Sequence, residues 1–74
     1  MDIKWGKGSA YNVGYIDHSE IRVERMKGED GRHGFLLSSP KKTYLFVSAC
    51  IYNTPKERDD AIKQQVLYHE QTGR

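Results

Sequence analysis

The sequence predicts an α+β fold, a small antiparallel β-meander of four to five strands followed by one C-terminal α-helix. Three observations carry this reading. The first fifty residues run in short segments of alternating apolar and polar side chains broken by turn residues, the period of strands with one wet face. An Asp30-Gly31 pair stands between two such segments, a strong hairpin signal because glycine tolerates the positive φ of tight turns. After Asn53 the period changes, and Thr54-Pro55-Lys56-Glu57 matches the capping box that opens a helix.

The elements follow in order. An N-terminal strand leads through Trp5-Gly6-Lys7-Gly8 to a second, Tyr11 to Ile16, which ends at the polar break Asp17-His18-Ser19. Glu20 to Arg25 alternates strictly, with Ile21 and Val23 on one side and Glu20, Arg22 and Glu24 on the other. Residues 27–32 form the hairpin turn, and Gly34 to Ser38 is the return strand. Ser39-Pro40-Lys41-Lys42 makes a second turn, with proline at its fixed φ. The longest strand is expected over Thr43 to Tyr52, with Leu45, Val47, Ala49 and Ile51 on one face and Tyr44, Phe46, Ser48, Cys50 and Tyr52 on the other. The helix runs from about Pro55 to Gln71, capped by Thr54 and Glu57 and closed by Gly73. At 100° per residue Ile62, Val66 and His69 share a face flanked by Ala61 and Gln65, and Leu67 lies off that stripe.

A chain of 74 residues accommodates one domain, residues 1–74, with strands over about 1–52 and the helix over about 55–71. Ile, Val, Leu and Phe together number 15, close to the fraction at which chains stop folding, whereas eight aromatics and a net charge of only +2 favour folding. The core is therefore thin, and a large enclosed active site is not expected. A single cysteine, Cys50, cannot form an internal disulfide or begin a zinc ribbon. The first six residues lack the apolar stretch of a signal peptide, and no apolar run approaches a membrane span, so the expected setting is cytoplasmic with no membrane partner. The basic excess lies in residues 1–52, which carry 8 basic and 6 acidic side chains against 4 of each in residues 53–74.

Catalytic patterns fail on their own chemistry. Trp5-Gly6-Lys7-Gly8-Ser9 has glycines in the wrong order for a phosphate loop and no helix after it. Asp17, His18 and Ser19 are adjacent, so they cannot converge as nucleophile, base and orienting acid. His18, His33 and His69 have no ligand spacing. Cys50 has neither a neighbouring histidine nor a helix start to lower its pKa. No enzyme activity, cofactor or metal is expected.

The aromatics are more informative. Trp5, Tyr11, Tyr15, Tyr44, Phe46 and Tyr52 all fall in the strand-rich part, and a strand apolar on both faces beside a single helix leaves one face for Trp5 or for a partner. The expected partner-binding residues are Trp5, Tyr11, Tyr15, Arg22, Arg25, Lys41, Lys42, Tyr44, Phe46 and Leu67. The leading expectation is a non-enzymatic module that binds another protein. The alternative is a nucleic-acid-binding module in which bases stack on Tyr11, Tyr15 and Tyr44 while Lys and Arg meet phosphates. Self-association as a homodimer through the same surface, with Leu67 joining, is a third use of it.

Thr54, Glu57 and Ala61, placed after a three-strand segment within residues 20–70, resemble the cap and sheet-facing alanine of the AP2-like DNA-binding domains, which include the arm-binding domains of phage-type integrases. That resemblance implies DNA contact through the sheet. Those domains carry a richly basic sheet, whereas Ile21 to Arg25 holds two arginines beside Glu24. In size, in aromatic surplus and in lacking catalytic residues the chain also resembles the short stand-alone proteins of phages and mobile elements, among them inhibitors of host polymerases, nucleases and CRISPR complexes. That second resemblance implies an inhibitor acting by occlusion.

Overall fold

The computed structural model describes residues 2–8, 11–17, 19–41 and 44–72. Its strands are β1 (Ile3–Trp5), β2 (Val13–Ile16), β3 (Arg22–Lys27), β4 (His33–Ser38) and β5 (Phe46–Val47), followed by the helix α1 (Pro55–Thr72). Each strand pairs antiparallel with the next, so the five form one meander in the order β1-β2-β3-β4-β5. The expected α+β architecture is the observed one.

Local chemistry explains the well-formed elements. In the β3–β4 hairpin the Gly31 N–H donates to the Gly28 carbonyl at 3.0 Å and the Gly28 N–H to the Arg32 carbonyl at 2.8 Å. Gly31 takes the positive φ of 85° that this three-residue loop requires, which is why the Asp-Gly pair announced it. Asp30 completes the turn. Its carboxylate accepts from the Arg32 backbone N–H at 3.1 Å and pairs with the Arg32 guanidinium at 2.6 Å. Those two bonds, the backbone one first, hold the Asp30 carboxyl below its ordinary 3.8.

At the start of α1 the Thr54 hydroxyl accepts from the Glu57 N–H at 3.2 Å, and the Glu57 carboxylate reaches back to the Asn53 N–H at 3.4 Å, one residue earlier than an ideal capping box. Lys56 and Asp60 pair at 2.8 Å across one turn, which lowers the Asp60 carboxyl and raises the Lys56 ammonium from their ordinary values. The helix extends to Thr72, and the proposed Gly73 closure lies outside the described residues.

Cross-strand pairs share a face of the sheet, so the register assigns every side chain. One face carries Ile3, Ile16, Val23, Phe35, Leu37 and Phe46, and α1 lies over it. Ile16, Ile21, Val23, Phe35 and Leu37 are buried with Ile62 and Val66 of the helix in a single cluster. The helix stripe is the expected one, and Leu67 and Tyr68 remain exposed beside it.

The long last strand does not form. Only Phe46 and Val47 pair with β4, and the pattern over residues 43–52 is broken for identifiable reasons. Leu45 and Phe46 are consecutive yet both pack against the core, which strict alternation forbids. Ser48 then takes over the ladder: its hydroxyl accepts from the Phe35 N–H at 3.0 Å and donates to the Ala49 carbonyl, while its own N–H bonds the Phe35 carbonyl at 2.9 Å. A side chain replacing a backbone partner lets the chain arch, and it returns as a single bridge between Tyr52 and His33. Within the arch the Cys50 sulfur settles over Gly34, where a Cβ would lie 2.9 Å from it. Phe46 and Tyr52 therefore stand on opposite sides of Phe35, with ring centroids at 5.6 and 6.1 Å.

Candidate functional site

The second face of the sheet is built by the alternate residues of the same strands. Its two central rows are Lys4–Tyr15–Arg22–Ser38 and Val13–Glu24–Leu36–Val47, with Met26 beside Gly34 beyond them. No described element covers these rows, since α1 lies on the other side. A shallow hollow of about 580 Å³ runs over them, walled by Tyr15 and Tyr44 and floored by Leu36 and Ser38, with Arg22 and Glu24 between. Tyr15 is 59% exposed and Tyr44 65%, and Val47 extends the apolar surface toward the β5 edge at 53%. The arrangement offers two amphipathic rings, an apolar floor and charges of both signs, with Glu20 adding a second carboxylate at the rim.

The expected binding residues separate into several groups. Tyr15, Arg22 and Tyr44 meet in this hollow. Trp5, Arg25 and Phe46 are on the helix-covered face, so the expectation that Trp5 could line the free side is corrected. The cause is Gly14: Trp5 pairs with it, and its ring occupies the space a side chain there would fill, with a Cβ at Gly14 only 2.7 Å from Trp5 Cε3. Lys41 lines a different hollow with Leu45 and His69, Leu67 is on the exposed side of the helix, and Lys42 lies outside the described residues.

Trp5 anchors a second cluster. The Arg25 guanidinium carbon is 4.4 Å from the Trp5 ring centroid and that of Arg58 is 5.2 Å from it, while Arg25 is also 5.4 Å from the Tyr11 ring. Arg25 further donates to the Tyr11 carbonyl. Arg58 is 4% exposed and ion-paired with Asp59 at 2.9 Å. Sequence reasoning missed Arg58. It lies one position before Asp59 in a charged first turn that reads as solvated, and only the stacking surface of Trp5, distant in sequence, draws it inward.

The Ser19 hydroxyl accepts from the Ile21 N–H at 3.1 Å, Gly8 closes a turn with Tyr11, and His18 lies outside the described residues. Among the described residues no group of three or more His, Cys, Asp or Glu is placed to hold a metal ion. No described helix is long and apolar enough to cross a membrane. No family model matches the chain, and no curated protein or solved structure matches it.

Proposed function

We propose that this chain is a non-enzymatic binding module that docks onto another protein through the open sheet face, with Tyr15, Tyr44 and Leu36 as anchors and Arg22 and Glu24 fixing orientation. The observation that carries this is the two-tyrosine hollow on the uncovered face. Tyrosine gives large contact area at little rotamer cost and is enriched among interface hot spots. Mixed charge favours a protein over nucleic acid, because Glu20 and Glu24 stand in the same hollow as Arg22 and would repel a phosphate backbone. In its sharpest form the reading is an occluding inhibitor of a host enzyme or nucleoprotein, supported by the small size and the aromatic surface.

The test compares wild-type protein with Tyr15→Ala/Tyr44→Ala as bait for proteins of the native host, with light scattering at two concentrations run in parallel. Loss of the captured protein with the double variant supports the reading. An unchanged captured set overturns it, and concentration-dependent mass that vanishes in the variant assigns the face to a second copy of the chain instead.

A further inference from the structure

We propose that a second site, on the helix side of the sheet, binds the phosphate of a nucleotide whose base stacks on Tyr11. Where β3 ends beside the start of α1, a cleft of about 450 Å³ opens among Tyr11, Asn12, Arg25, Lys27, His33 and Arg58. That volume is within the range of small-ligand clefts, about 300–1,000 Å³. Its walls hold two arginines, a lysine and a histidine and no carboxylate, in a chain whose acidic and basic residues are otherwise nearly balanced. Asp59 matches the charge of Arg58 from outside the lining, so Arg25 and Lys27 leave the cleft with two uncompensated positive charges. A phosphate monoester carries roughly −1.5 to −2 near neutrality and matches that charge.

The arginine that would meet it is already positioned. Arg25 stacks on Trp5 and Tyr11 and is tied to the Tyr11 carbonyl, so little freedom remains to be lost on binding. Its Nε is buried with no hydrogen-bond partner among the described residues, so the guanidinium is not fully satisfied by the protein itself. Tyr11 is 62% exposed at the rim, which gives the ligand an aromatic platform directly beside the cationic floor. Phosphate and base together define a nucleotide, whether free or at the end of a single strand. This cleft shares no residue with the hollow of the open sheet face, so the two proposals stand or fall separately.

The test is an amide-resolved NMR titration of the full chain with adenosine monophosphate, adenosine, inorganic phosphate and a short 5′-phosphorylated oligoadenylate. Adenosine monophosphate at about 5 mM is expected to move the Asn12, Arg25, Lys27 and His33 amides and to bind more tightly than phosphate or adenosine alone. Its affinity should fall about tenfold in Arg25→Gln. Lys27→Gln, an exposed position whose loss leaves the Trp5 stack intact, should weaken binding several-fold, and Tyr15→Ala should not change it. An oligoadenylate that binds more tightly than the mononucleotide assigns the site to a strand end, and one that binds no more tightly assigns it to a free nucleotide; both support the proposal. Absence of shifts, shifts confined to the open sheet face, inorganic phosphate or adenosine equalling the nucleotide, or affinity unchanged in Lys27→Gln would overturn it.

Discussion

The two faces of the sheet come from the same strands and differ in nearly every physical respect. The covered face is assembled from Ile16, Val23, Phe35 and Leu37 against Ile62 and Val66, each 2% exposed or less. The open face alternates with it residue by residue, yet keeps Tyr15, Tyr44 and Val47 more than half exposed. One helix can bury only one side of a sheet, so the apolar side chains of the other contribute little to folding and remain available for contact with a partner. The buried apolar material is thereby concentrated on one face of a thin layer, and the proposed recognition falls on the other.

Substitutions should separate the faces by magnitude. The largest effect is expected for Phe35→Ala, which empties the centre of the core between Phe46 and Tyr52 and should cost about 3–5 kcal/mol in urea denaturation, enough to unfold much of so small a domain. Gly14→Ala comes next. Its new methyl meets the Trp5 ring, and a loss of about 1–3 kcal/mol is expected together with a changed tryptophan fluorescence as the ring moves off Arg25. Thr54→Ala removes the helix cap and should cost about 1 kcal/mol by the same denaturation. Tyr15→Ala and Tyr44→Ala, both on the open face, should each change stability by no more than about 0.5 kcal/mol. A large loss at Tyr15 would erase the distinction between the faces.

Acid should probe neither face but the hairpin tip and the helix start. Asp30 and Asp60 are both held below 3.8, so their pairing stabilises the fold above that pH and the contribution disappears as pH falls through the lower folded values. Asp30→Asn should remove the hairpin's share of this acid-dependent loss, read as a flatter dependence of thermal midpoint on pH below about 4. Both groups are solvent-exposed, so the change should be the smallest of the series.

How much was legible before the structure depended on how local the deciding interaction is. The Asp30-Gly31 hairpin, the Thr54 cap and the Ile62–Val66 stripe rest on neighbours within a few residues, and each was readable from the sequence. Residues 43–52 misled because their pattern is strand-like while the decisive bond, from the Phe35 N–H to the Ser48 hydroxyl, spans 13 residues. Of the open-face group only Arg22 was legible, from the alternation of β3. Strict alternation places Tyr44 with Phe46, yet Phe46 packs on the core while Tyr44 joins Tyr15 in the open hollow, because only Phe46 and Val47 pair as a strand there. The stacking of Arg25 and Arg58 on Trp5 was not legible either, because it joins three elements and follows from the missing side chain at Gly14.

The central claim is that the open face recognises a protein partner and contributes little to the fold. Binding of the captured partner to wild type and to Tyr15→Ala/Tyr44→Ala, measured by calorimetry on samples with matched thermal midpoints, tests it most directly. The account predicts a loss of at least about a hundredfold in affinity, corresponding to two interface anchors, with the midpoint nearly unchanged. Affinity within about twofold of wild type in a folded double variant would contradict it.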